Sequence, residues 1–261
     1  MVNRIKQYLH TEWMGTTIVY EEEMDSTNLR AKLIADENVT NGTLVVAKRQ
    51  TLGRGRLGRQ WCSPEGNAYF SLMLNPDVHT EYVSRITLVA ALALEKSLSK
   101  IADLPIRIKW PNDIVVSGRK LCGILTEAKV CSDGLEYVIV GVGINANQKE
   151  FDASIRDMAT SLLNELGREV DIPQLIAEFL NEFEVCYNQF LQTQDLSLLL
   201  DDYNRSLVHY NQPVRVIGED EMIGISKGIS ESGALLLQTE DGRLEYIIAG
   251  ELSVRGLYGY V

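Results

Sequence analysis

The 261-residue chain is 45% apolar and 23% charged, ordinary proportions for a globular protein with a sizeable core. Its formal net charge of -11 argues against nonspecific binding to nucleic acid or an anionic membrane, which needs a broad basic surface. The longest apolar run, residues 88–94, is far short of the ~20 residues of a membrane span, and the N-terminal segment lacks a signal peptide's apolar stretch. A cytoplasmic protein is expected. Four dispersed cysteines without a CxxC pair and three dispersed histidines give no metal-ligand spacing, and reduced thiols are expected.

In chain order, Ser26-Thr27-Asn28 stands where a helix N-cap would, ahead of "LRAKLIA". Residues 42–50 read as a buried strand, and residues 68–74 as the strand leaving the loop that follows it. Helical spacing of apolar residues runs from Tyr82 to Ile101. "IRIKW" alternates, with Ile106, Ile108 and Trp110 on one face and Arg107 and Lys109 on the other, until Pro111 ends the ladder. Two strands, 118–130 and 137–147, follow around a turn at 131–134. In the second, Val138, Val140, Val142 and Ile144 share a face opposite Gly141, Gly143 and Asn145. The bare face implies close approach by a ligand or by a neighbouring chain's backbone, the latter giving a homodimer through a sheet edge. Helices are expected over 173–191 and near 195–204, and glycine-broken short strands after Pro213 suggest a small β-barrel.

"GRGRLGRQW", residues 53–61, concentrates positive charge in an acidic chain. Its glycines satisfy GxGxxG after a strand, but Pro64 and Gly66 stand where the dinucleotide fold needs a helix. Arg59 and Gln60 stand where a P-loop needs Lys and Ser/Thr. A solvated connection remains an alternative. Three arginines anchored between two buried strands instead suggest a clamp for carboxylate and phosphate oxygens.

With Gln50 before it, this loop resembles the substrate loop of biotin protein ligases. "STN" at 26–28, "KWPND" at 109–113, "GRKLCGILTE" at 118–127 and "GVGIN" at 141–145 follow in that family's order, and "GELSVRG" resembles its C-terminal module. The resemblance implies an α+β catalytic fold over residues 1–211, a mixed, mainly antiparallel sheet with packed helices of the class II synthetase type, and an SH3-like β-barrel over 212–261. Only 25 residues precede Ser26, so the short class without an N-terminal DNA-binding domain is expected.

The implied reaction activates biotin with ATP and Mg2+ to biotinyl-5'-AMP. Biotin is then transferred to a lysine of a biotin carboxyl carrier domain of acetyl-CoA carboxylase or another biotin-dependent carboxylase. The resemblance assigns Lys120, Arg54, Arg56 and Asp113 to catalysis. It places Ser26, Thr27, Asn28, Gln50, Arg54, Gly55, Arg56, Trp61, Lys120 and Gly123 around biotin, and Arg56, Arg59, Lys109, Asn112, Lys120 and Asn145 around ATP. Asp113 is either a base toward the acceptor lysine or a Mg2+ ligand. The arginine loop and residues 147–160 are expected to close over the labile intermediate. A lipoate ligase and a ligand-gated DNA-binding regulator are the alternatives.

Overall fold

A computed structural model describes residues 1–132, 134–218, 221–249, 253–256 and 260–261. Helix α1 (Val2–Tyr8) precedes strand β1 (Ile18–Met24), and α2 (Thr27–Glu37) leads to β2 (Leu44–Gln50). After the arginine loop come β3 (Ala68–Leu74), α3 (Val83–Ile101), β4 (Ile106–Lys109), β5 (Asp113–Val116), β6 (Arg119–Cys131) and β7 (Gly134–Ile144). Helices α4 (Leu162–Leu166), α5 (Ile172–Thr193) and α6 (Leu200–Ser206) complete this part. The strands form one sheet in the order β1-β2-β3-β7-β6-β5-β4. Its β1/β2 pairing is parallel and the other five are antiparallel, the mixed, mainly antiparallel sheet expected.

Alternation along the strands divides the sheet into two unlike faces. Leu44 and Val46 of β2, Phe70 and Leu72 of β3, and Val138, Val140, Val142 and Ile144 of β7 point into the main core. There they meet the apolar stripes of α3 and α5, whose Phe179 packs on Phe70 at 5.3 Å between ring centroids. Each such fully buried side chain contributes about 1.5–3 kcal/mol. The opposite face carries a smaller cluster, in which Ala31 and Ala35 of α2 pack on Val45, Ala47, Met73 and Ile139. Beyond that cluster the same face turns polar and glycine-rich, and the site lies there.

Several features depart from the sequence reading. Helix α1 and strands β1 and β5 were not anticipated, and α6 begins at Leu200 because Leu196 and Leu199 are buried in the turns before it. Strand β7 is not an edge: residues 138–144 pair with β3 on one side and β6 on the other. A homodimer formed by extending the sheet through the "YVIVGVGIN" strand is therefore excluded by the strand order, and the glycine face is turned toward side chains of the same chain. Of the turn expected at 131–134, Asp133 lies outside the described residues.

The C-terminal strands β8 (Pro213–Ile217), β9 (Met222–Ile229), β10 (Leu235–Gln238), β11 (Leu244–Ile247) and β12 (Ser253–Gly256) form a five-stranded antiparallel sheet, ordered β11-β10-β9-β8-β12, consistent with an SH3-like module. Val214, Val216, Leu235 and Val254 join the main core rather than forming one of their own. Polar ties reinforce the junction: Trp110 Nε1 donates to Gly233 O at 3.1 Å, and Asn204 Oδ1 accepts from the Ile229 amide at 2.8 Å. This seating carries β12 to the mouth of the site.

Candidate active site

The glycine row is the floor. A methyl group at Gly141 would overlap Asn28 Oδ1, and one at Gly143 would lie 2.6 Å from Trp61 Nε1. At Gly123 it would meet the Trp61 ring at 3.0 Å and the end of Lys120 at 3.3 Å. Glycine at these three positions thus admits Asn28 from α2 and Trp61 from the arginine loop directly onto the sheet. Gly141→Ala is accordingly expected to displace Asn28, costing about 1–3 kcal/mol of stability. Biotin affinity should fall at least tenfold, read by isothermal titration, and unchanged affinity would remove Asn28 from the site.

Helix α2 starts at this floor. Ser26 takes the N-cap position, as its sequence suggests, but its buried side chain makes no capping bond. Gln50 caps the helix instead, its Oε1 accepting from the Thr27 amide at 2.8 Å, while its Nε2 donates to Ser63 Oγ at 2.9 Å. Buried Asn28 donates to Leu125 O at 3.1 Å and to Glu127 Oε2 at 2.8 Å.

The arginine loop is a tight turn pinned by its own backbone. The Gly55 amide donates to Arg59 O at 2.7 Å and the Trp61 amide to Gly53 O at 2.9 Å. Leu57 and Gly58 follow in left-handed conformation, φ 57 and 71. Gly53 must be glycine because a methyl there would strike Trp61 O and Ser63 Oγ. At Gly55 no atom comes within 3.5 Å of that position, which leaves its backbone open toward the cavity. Arg56 crosses to Asn112, Nη1 to Oδ1 at 2.8 Å, and burial holds its guanidinium below the usual arginine range. Asn112 in turn donates to Ile124 O at 3.0 Å, tying loop, turn and β6 together.

Asp113 is the centre of the cationic cluster. Lys120 Nζ lies 2.6 Å from its Oδ1, and the Tyr260 hydroxyl donates to its Oδ2 at 2.6 Å. The Tyr260 ring covers Lys109 Nζ, 3.3 Å from the centroid. Lys109, unlike its strand neighbour Arg107, is buried, and burial pushes its ammonium down to about 7 despite Asp113 nearby. His209 is also buried, and desolvation, with Lys109 close by, lowers it to about 4. The segment at 151–160 reaches Lys120 through its backbone: the Lys120 amide donates to Met158 O at 2.7 Å and Lys120 O accepts from the Thr160 amide at 2.9 Å. Asn145, also buried on the glycine face, donates to Thr160 O at 3.0 Å.

Together these residues enclose a cavity of about 480 Å³, within the range of small-molecule sites. All the residues expected around either substrate line it: Ser26, Thr27, Asn28, Gln50, Arg54, Gly55, Arg56, Arg59, Trp61, Lys109, Asn112, Asp113, Lys120, Gly123 and Asn145. Phe151, Ile155 and Met158, within the 147–160 segment expected over the ligand though not singled out there, also line it; sequence reasoning missed Arg255 and Tyr260 from the C-terminal segment. Arg255 had a signal, since it lies in the quoted "GELSVRG"; Tyr260 had none. Among the described lining residues, six are Arg or Lys and one is a carboxylate, so the cavity is cationic in a chain of net charge -11.

A cationic cavity with a polar, capped floor on this α+β scaffold defines a protein that binds an anionic small molecule, with positive charge enough for a carboxylate and phosphates together. Residues 20–145 match the biotin/lipoate A/B protein ligase family and residues 209–255 the biotin protein ligase C-terminal domain. The bifunctional ligase/repressor BirA of Bacillus subtilis is 37% identical over 92% of this chain and 75% of its own length. The biotin–[acetyl-CoA-carboxylase] ligase of Paracoccus denitrificans is 32% identical over 89% of this chain and 98% of its own. A biotin protein ligase from Aquifex aeolicus, solved in complex with biotin and ATP, superposes with a TM-score of 0.81 at 33% identity, covering 92% of this chain and 99% of that one. The chain belongs to the biotin protein ligase family. Its activity is ATP-dependent ligation of biotin, and neither the lipoate nor the DNA-regulator alternative is favoured by these matches.

Proposed function

We propose that this cavity carries out both half-reactions, with residues 1–211 holding the two substrates and residues 212–261 closing the nucleotide side. The observation that carries this reading is the meeting of two unlike ends in one cavity: the polar floor of buried Ser26, Thr27 and Asn28 with half-buried Gln50, and the cluster of Lys120, Arg56 and Lys109 around Asp113. The floor addresses the polar head of biotin, and Trp61 with the strand at Gly123 walls its rings and tail. The cluster receives the carboxylate and the triphosphate, two anions that repel each other until fixed cations surround both.

A biotin carboxylate oxygen attacks the α-phosphorus of ATP, and the bond to pyrophosphate breaks. Lys120 follows the negative charge that develops at phosphorus, with Arg54 and Arg56 clamping carboxylate and phosphate, and Arg59, Lys109, Asn112 and Asn145 on the nucleotide side. A carrier lysine amine then attacks the acyl carbon and AMP leaves. Asp113 accepts the amine's proton or hydrogen bond once the Tyr260 hydroxyl has released Oδ2.

Mg2+ fits this site as a phosphate-bound ion rather than a caged one. Among the described residues no three His, Cys, Asp or Glu converge, so Asp113 is the one carboxylate available to it in the cavity. Mg2+ is commonly held by one or two carboxylates plus substrate phosphates, and there it neutralises phosphate charge.

A biotin carboxyl carrier domain is the acceptor this reading implies, and the cytoplasm is the compartment where both would meet. No described helix is long and apolar enough to cross a membrane. Incubating the protein with biotin, ATP, Mg2+ and the carrier domain of an acetyl-CoA carboxylase should place biotin on one lysine, seen by mass spectrometry; an unmodified carrier would overturn the assignment. Arg56→Ala should also release biotinyl-5'-AMP at least tenfold faster in stopped flow, since it removes a charged bridge from loop to turn at Asn112. An unchanged rate would exclude the clamp.

A further inference from the structure

Below the floor lies a chain of polar groups that reaches away from the substrates. Lys32 of α2 pairs with Glu127 Oε1, and Glu127 Oε2 accepts from Asn28. Ser71 of β3, fully buried, lies 2.6 Å from Asn28 Oδ1 and 2.7 Å from Thr27 Oγ1. Thr27, buried and lining the cavity, is also 3.2 Å from Gln50 Oε1.

Proton counting gives this chain a direction. Both Asn28 Nδ2 protons are taken by groups that can only accept, Leu125 O and the Glu127 carboxylate. The amide therefore cannot turn over, and its Oδ1 must face Ser71. An amide oxygen has no proton to give, so the one Ser71 proton is committed to Asn28. The short contact between Ser71 and Thr27 then requires the Thr27 proton. With that proton spent, Thr27 presents lone pairs, and no donor, to the cavity.

We infer that Glu127, Asn28 and Ser71 form a positioning relay that fixes Thr27 as a hydrogen-bond acceptor and so selects a substrate head group with an N–H at that point. The inference rests on the ligase reading and deepens it: the N–H belongs to the ureido ring of biotin. Glu127 and Ser71 touch no substrate and lie outside the set of lining residues, so they act through Thr27. A buried donor or acceptor that meets its like is costly, which makes a pre-set hydroxyl a discriminating element.

The test compares biotin with two cyclic carbamates, in each of which one ureido N–H is replaced by a ring oxygen of similar size. The measurement is kcat/KM in pyrophosphate exchange. In the wild type, one carbamate should be rejected by about a hundredfold, because its oxygen faces the Thr27 lone pairs. Ser71→Ala releases the Thr27 proton from β3, leaving only the long contact to Gln50 Oε1 at 3.2 Å to compete with an acceptor in the cavity, and rejection of that carbamate should shrink to about tenfold or less, with biotin itself changed by no more than about threefold. Glu127→Gln, at a partly exposed position, provides a second variant. Lys32 retains the new amide oxygen and turns its N–H2 toward Asn28, which weakens the anchor, so discrimination should fall between the two values.

A packing role alone would alter melting temperature or both substrates equally and would leave the ratio untouched. Equal use of biotin and both carbamates by the wild type, or a wild-type ratio retained in both variants, would overturn the relay. Absence of biotin-dependent exchange in the wild type would overturn the ligase reading itself, and the relay with it.

Discussion

Lys120→Met is expected to lower kcat/KM for biotin-dependent pyrophosphate exchange by about a thousandfold, the upper range for loss of one preorganised group at a centre of developing charge. The lysine lies 2.6 Å from Asp113 and beside Trp61, at the junction of the floor and the cationic cluster. From there one ammonium can meet both the carboxylate that attacks and the phosphoryl group that receives it. Binding of biotin alone should weaken far less, by about tenfold, because the floor is intact and charge develops at phosphorus only as the reaction proceeds. Stability should change little. Asp113 still faces Lys109 and Arg56 when Lys120 is gone, so it is not left as an isolated buried charge. Lys120→Arg keeps the charge, but its planar fork cannot follow a point of developing charge in the same way, so recovery should be partial. Exchange kinetics and calorimetric biotin binding on the same variants separate the two effects; a loss of less than threefold in exchange would remove Lys120 from the reacting centre.

How much of this was legible in the sequence follows from where each signal resides. Strands β2 and β3 and helices α3 and α5 are buried along a full face, so their apolar periodicity identifies them. Strand β1 hid because it is a sheet edge: Glu21, Glu22 and Glu23 pair with Arg30, Lys48 and Arg49, so half of its pattern is charge rather than apolar alternation. Strand β5 spans four residues directly after the Pro-Asn turn, too short for a period to establish itself. The glycine row predicted close approach, and left open whether a ligand or another chain made it. Only the strand order, which buries β7 between β3 and β6, shows that Asn28 and Trp61 are what approach. The arginine loop carried its own signal in charge against an acidic background, whereas Lys109 and Lys120 were placed only by the resemblance of their motifs. Tyr260 had neither, because nothing local to residue 260 indicates that it meets residue 113 across 147 positions of chain.

Lys109→Met should make the ligand-free protein more stable while impairing nucleotide binding. Burial holds the Lys109 ammonium at about 7, well below the ordinary lysine value of about 10.4. A folded-state pKa below the unfolded one means that the unfolded chain binds the proton more tightly. This lysine's penalty is therefore absent above pH 10.4, grows as pH falls from 10.4 to 7, and is constant below 7, reaching on the order of 4 kcal/mol. Asp113 is already part of the balance that sets this pKa, and the Tyr260 ring offsets a further part of the cost, so replacement by an apolar side chain of similar length should recover about 2 kcal/mol at pH 7.5, or about 5 °C in Tm. The stability of the wild type should rise between pH 7 and 9 relative to the variant, read from urea midpoints. An ATP phosphate beside Lys109 reverses the balance, since an anion in a low-dielectric site favours the charged ammonium. At pH 8.5 ATP binding should therefore draw close to one more proton into the wild-type complex than into Lys109→Met. Calorimetry in two buffers of different ionisation enthalpy measures that difference, and the ATP KM of the variant should rise about tenfold or more. Equal proton uptake by the two proteins would place Lys109 outside the nucleotide's field and leave its burial a purely structural cost.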